Sequence, residues 1–151
     1  MYRRFVAKQV RQLWSDINTE HVKPVLDIMA DPFSYTFIGR DHPLAGTRVQ
    51  VDTMREQLER VDRIFPGIEF TVRDLVVRGW PWKTVVGAQV EVRAPLIDGS
   101  TYRNELIQVA HLRWGKATHV TTTIDLGRLL PAYQRQSAAG HTPARLTPII
   151  G

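Results

Sequence analysis

The second half of the chain limits the choice of fold most. Residues 68–78 ("IEFTVRDLVVR"), 83–94 ("KTVVGAQVEVRA"), 101–114 ("TYRNELIQVAHLRW") and 117–125 ("ATHVTTTID") are rich in β-branched and aromatic residues, and only "GWPW", "IDG" and "WGK" separate them. Connections this short join strands that run back and forth, so four consecutive antiparallel strands are predicted.

The first half has a different period. Phe5, Val6, Val10, Leu13, Trp14 and Ile17 predict an amphipathic helix over residues 2–17, with basic residues on its other face. Val22, Val25, Leu26 and Met29 predict a second helix over residues 20–30, with Pro24 in its first turn and "ADP" as its stop. "FSYTFIG" alternates Phe33, Tyr35 and Phe37 against polar or smaller residues and reads as a short strand that ends in the turn "GRDHPLAGT". Thr47 is the expected cap of a third helix built on Val51, Met54, Leu58, Val61 and Phe65, which "PG" terminates. Three helices before a long meander imply an α+β domain whose helices cover one face of a strongly bent sheet. The 151 residues suit one domain over residues 1–135, followed by an irregular tail over 136–151 that is either disordered or a strap on a partner subunit.

Composition removes several function classes. The net charge of +5 is spread along the chain without a basic cluster, so no nucleic-acid partner is expected. With no cysteine there are no disulfides and no thiol chemistry. The five histidines have no ligand spacing, and no Gly-rich phosphate loop, G-x-S-x-G or H-E-x-x-H pattern occurs, so neither metal nor cofactor is expected. No run of 18 apolar residues occurs, and the first residues lack an apolar signal core; no membrane partner and a cytoplasmic location are the expectation.

Period-two geometry then selects candidate site residues. In "AQVEVRA", Gln89, Glu91 and Arg93 share one face and Ala88, Val90 and Val92 the other. On the next strand Tyr102, Asn104, Leu106, Gln108, Ala110, Leu112 and Trp114 form an uncharged face, the mixture of apolar and neutral polar groups that a ligand pocket needs. Val86, Ala88, Val90 and Val92 offer an apolar face for a second copy, hence an expected homodimer. Asp125 shares its face with Thr121 and Thr123 and stands directly before the helical "LGRLL", where it is either an N-cap or a proton carrier.

The order of helix, helix, aromatic strand, "HPLAG", helix, "FPGIEFTV", long strands, "DG-TYRN", "WGK" and a final strand ending in Asp resembles the NTF2-like superfamily. More narrowly, it is similar to the SnoaL-like polyketide cyclase and limonene-epoxide hydrolase group. The resemblance implies a cystatin-like cone, helices on a strongly curved, mainly antiparallel sheet, with a deep apolar pocket on the concave face and a second subunit on the convex one. It matches Gln89 and Glu91 to the Arg-x-Asp pair of the epoxide hydrolases, Tyr35 and Phe37 to their Tyr-x-Asn pair, and Ala110 to the oxyanion acid of ketosteroid isomerases. Asp125 matches a strand-terminal acid that transfers protons in several members.

The implied function is general acid–base chemistry, namely cyclisation, isomerisation or hydrolysis, on a small apolar or polycyclic molecule. Asp125 and Glu91 would be the proton carriers, with Tyr35, Phe37, His42, Gln89, Arg93, Asn104, Leu106, Gln108 and Thr123 at the substrate. Alternatives stand beside each step. Glu91 is equally explained as an ion-pair partner of Arg93 or Arg73, and His42 as a turn residue. The whole chain is also consistent with a non-catalytic ligand-binding or dimerisation module.

Overall fold

A helix follows wherever one stripe of the chain is apolar, and the computed structural model, which describes residues 1–143 and 146–151, starts with such a case. In α1 (Tyr2–Thr19) the buried residues are Val6, Val10, Trp14 and Ile17, spaced by three or four. Next come α2 (Val22–Ile28), β1 (Met29–Phe37), β2 (Gly46–Arg48) and α3 (Val51–Ile64). The meander of β3 (Glu69–Trp80), β4 (Lys83–Pro95), β5 (Thr101–Arg113) and β6 (Lys116–Ile124) leads into α4 (Leu126–Ala138).

The six strands form one sheet in the order β2-β1-β6-β5-β4-β3. The four expected strands are present as consecutive antiparallel neighbours. β1 runs parallel to β6 and antiparallel to β2, which makes the sheet mixed. One sheet face is covered by helices. Val86, Ala88, Val90 and Val92 of β4 lie on that face and are 0–6% exposed, so they belong to the core of a single chain. This corrects the expected placement of the dimer contact, because an apolar strand face that helices already bury has nothing left to offer a second subunit.

Two side chains tie the helical layer to the sheet. The Asn18 amide donates to Phe70 O at 2.8 Å and accepts from Phe70 N at 2.7 Å, which satisfies two main-chain groups of the edge strand β3. At the other end of α1, Tyr2 and Thr84 share a hydroxyl hydrogen bond of 2.5 Å.

Other local expectations shift. Helix α2 gives way to strand at Met29, two residues before "DP", because parallel pairing with β6 already engages Met29. Thr47 lies in β2, where its hydroxyl meets that of Thr36 at 2.9 Å, and the N-cap position of α3 falls to Gln50. Trp114 leaves the inner face of β5: it turns the β5–β6 connection with φ of 51° and is exposed.

The helix after Asp125 runs to Ala138, past the expected domain boundary at 135, because Leu129, Ala132, Tyr133 and Gln136 form a buried stripe along it. Gln136 accepts from Ile97 N at 2.9 Å and donates to Ile64 O at 2.7 Å, bridging the β4–β5 connection and the end of α3. The last residues then pack on their own chain. Gly151 O accepts from Val49 N and Gln50 N, and Gly151 N donates to Thr47 O. Residues 144 and 145, inside the expected irregular tail, lie outside the described residues.

Arg48 is the anchor of this corner. It is fully buried and donates only to main-chain carbonyls: Nη2 to Leu44 and Ala45, Nη1 to Gly46, and Nε to Ile149 at 2.6 Å. Among the described residues no helix is long and apolar enough to cross a membrane.

Candidate functional site

The inner face of the sheet and the helices above it line a cavity of about 150 Å³. Its wall is mainly apolar: Val10, Trp14 and Ile17 come from α1, Leu58 and Val61 from α3, and Val86, Ala88 and Val92 from β4. The alternation of β5 is the reason that its uncharged set arrives here. Tyr102, Leu106, Gln108, Ala110 and Leu112 line the cavity, while Arg103, Glu105, His111 and Arg113 are exposed on the other side.

One polar cluster interrupts the apolar wall, on three adjacent strands. Gln108 Nε2 of β5 donates to Thr122 Oγ1 of β6 at 3.0 Å, and the Tyr35 hydroxyl of β1 lies 3.2 Å from the same oxygen. Burial pushes the Tyr35 phenol above its ordinary value, only partly opposed by its bond to Thr122, so at neutral pH it is a neutral hydrogen-bond donor. Phe37 and Leu106 complete the wall next to this cluster. Tyr102 stacks on Phe65 at 4.9 Å, and burial pushes its phenol up to about 12.

Of the residues expected at the site, Tyr35, Phe37, Leu106 and Gln108 line the cavity. Asn104 is buried but occupied elsewhere: its amide donates to Tyr102 Oη at 2.7 Å and Asp125 O at 3.0 Å, and its oxygen accepts from Glu105 N. His42 is also buried outside the cavity. Its Nδ1 accepts from Leu44 N and its Nε2 faces Ile38 O, both at 3.3 Å, and burial pulls its pKa below the ordinary value. Gly39 makes room for it, since a Cβ there would come within 2.5 Å of the imidazole.

The remaining expectations are corrected by strand geometry. Gln89, Glu91 and Arg93 alternate with the buried Ala88, Val90 and Val92 and therefore stand on the outer face of the sheet. There Glu91 accepts from Arg73 Nε at 2.7 Å and also from its Nη2, and Gln89 donates to Glu105 at 3.0 Å. Thr123 is exposed, whereas its neighbour Thr122 points into the cavity. The Asp125 carboxylate is 56% exposed; it accepts from Gly127 N at 2.9 Å and lies 3.7 Å from Arg128, the position of an N-cap at the start of α4. Glu91 and Asp125 thus do not meet, and among the described residues no Asp or Glu lines the cavity.

Thr122 and His21 line the cavity and were not among the expected residues. A signal for Thr122 did exist, because the inward Ala110 and Gln108 require inward partners on the neighbouring strand. His21 had no local signal. Its Nδ1 meets the Asp62 carboxylate, 41 positions along the chain. No group of three or more metal-ligating side chains comes together among the described residues.

No family model matches the sequence, and no curated protein is similar enough to count as a relative. Solved structures do match. PrhC from Penicillium brasilianum superposes with a TM-score of 0.75 at 16% identity, over 95% of each chain. IdmH, a candidate polyketide cyclase from Streptomyces antibioticus, gives 0.65 at 14% identity over 83% of this chain and 96% of its own. An NTF2-like protein of unknown function from Burkholderia pseudomallei gives 0.67 at 16% identity, over 84% and 95%. Identities this low speak for architecture alone. The helices packed on one face of a six-stranded mixed sheet, the cavity between them and these superpositions together identify an NTF2-like fold.

Proposed function

We propose that this protein binds a small, mainly apolar, carbonyl-bearing molecule in the cavity and performs acid–base chemistry on it. The observation that carries the reading is the Tyr35–Thr122–Gln108 cluster, a set of neutral polar groups set into a mainly apolar wall. An apolar wall supplies affinity, and a few convergent donors fix orientation. Tyr35 and Gln108 are suited to hold a carbonyl oxygen and to stabilise the charge it gains as a neighbouring C–H bond loses its proton. IdmH, a candidate polyketide cyclase, shares the fold, which makes a polyketide-like skeleton a reasonable ligand to test.

Calorimetric titration with 2-tetralone and with its hydrocarbon counterpart tetralin tests the reading. The ketone should bind more tightly, and Gln108→Leu should narrow the difference. Equal binding of the two, or binding of neither, would overturn it. A second reading, a ligand-binding module without turnover, is favoured by the lack of a carboxylate among the described residues of the cavity wall.

A homodimer is proposed as well, on the face opposite the one the sequence suggested. On the outer face Val76, Ile107 and Val109 are exposed around Gly87, where nothing lies within 4 Å of a built Cβ. Charges of both signs surround them, including Glu91, Arg103 and Glu105, which suits a self-complementary two-fold contact. Light scattering should return a dimer that Val109→Glu splits; a monomer at tens of micromolar would refute it.

A further inference from the structure

We propose that His21 and Asp62 form a general-base pair serving this cavity, with His21 Nε2 as the atom that takes the proton. This rests on the reading that the cavity holds a carbonyl compound, and it supplies what that reading lacks, a base.

The geometry comes from three elements. His21 precedes α2, its ring packs edge-on against Phe70 of β3 with centroids 5.7 Å apart, and the side chain is only 10% exposed. Phe70 is itself held by Trp14 at 5.5 Å, so the ring rests on a packed surface. Asp62, in the last turn of α3, is half-exposed and lies against Nδ1 as an ion-pair contact. Of the groups shown around the ring, α3 contributes this one carboxylate, and β3 the uncharged Phe70.

A carboxylate beside Nδ1 favours the tautomer that carries its proton there, which leaves the Nε2 lone pair as the basic site of the neutral ring. The ring carrying Nε2 is part of the cavity wall, so that nitrogen is the one available to a bound molecule. The ring lines the cavity from the side of α2 and β3, whereas Tyr35, Thr122 and Gln108 come from β1, β6 and β5. Base and oxygen-binding groups therefore occupy different walls of one cavity, the arrangement that enolisation needs.

In the step itself Nε2 removes a proton from the carbon next to the carbonyl. The C–H electron pair becomes the enolate double bond, and the carbonyl π pair moves to oxygen, where Tyr35 and Gln108 donate hydrogen bonds. Asp62 steadies the imidazolium, which then returns a proton to carbon. No oxidant, reductant or metal enters the balance. Asp62 acts as a positioning residue, through the histidine.

The test uses the full chain with 2-tetralone in D2O, following deuterium uptake at C1 by proton NMR across a pH series, beside calorimetric binding. The parental protein should exchange C1 above the buffer rate. His21→Gln should lower that rate by about 10²-fold or more while still binding the ketone. Asp62→Asn should lower the exchange rate of the bound ketone by about tenfold or more at unchanged affinity, since the imidazole loses the carboxylate that positions it. A merely structural link between α2 and α3 would leave the exchange rate of the bound ketone at the parental value. Exchange that survives in His21→Gln, or parental exchange in Asp62→Asn, would overturn the pair and leave the acid–base reading of the cavity intact, whereas binding without any exchange would overturn the pair and leave only the binding of a carbonyl compound. Failure of the ketone to bind would overturn both.

Discussion

The amide of Asn104 donates to the main-chain carbonyl of Asp125 at 3.0 Å, so the strand β5 grips the end of β6 by its backbone while the Asp125 carboxylate turns outward to Gly127 N. The side chain is left to cap α4. Asp125→Ala should cost about 1 kcal/mol of stability, and Asp125→Asn only a few tenths, because an amide oxygen still accepts from Gly127 N. Urea denaturation of both variants measures this. Equal losses would show that the carboxylate does more than cap.

Arg48 should be intolerant of change. Arg48→Leu would strip donors from the buried carbonyl of Ala45 and the part-buried ones of Gly46 and Ile149, a loss of roughly 2–5 kcal/mol. Arg48→Lys should recover little of it, since an ammonium cannot span carbonyls that a planar fork reaches together. A loss below about 1 kcal/mol in the leucine variant would contradict this account.

His42 makes stability depend on pH. Burial pulls its folded-state pKa below the ordinary 6.5, so on acidification the unfolded chain takes up the proton first. Its contribution is present above about pH 6.5 and is lost as pH falls from there through the lower folded-state value. Denaturation midpoints measured from about pH 7.5 down to about pH 5 should fall less steeply in His42→Gln than in the parent protein. Identical slopes would mean that the imidazole stays neutral for no energetic reason.

Glu91 should be dispensable for the cavity. Its partner Arg73 is 54% exposed and the pair stands on the outer face, so Glu91→Gln should change stability by less than about 1 kcal/mol. Calorimetry should find 2-tetralone binding unaltered. Weakened binding would place Glu91 in communication with the cavity through the sheet.

By itself the sequence determined the architecture. Short breakers between β-branched runs leave a chain no option but an antiparallel meander, and the three helical periods ahead of it must lie on one sheet face. It also determined the inner face of β5, where every charge falls on one side of the alternation and the pocket residues Leu106 and Gln108 fall on the other. On β4 the same alternation was present, yet matching Glu91 to a family acid set it against the apolar Val90 and Val92, and burial of the valines decided the matter.

Tertiary structure alone decided the rest. The parallel pairing of β1 with β6 joins Tyr35 to Thr122 across 87 positions, and the packing of α2 and α3 brings His21 to Asp62. Periodicity reports which residues share a face of their own element. It carries no information about which other face they meet, because that depends on how a twisted sheet and its helices close around one core.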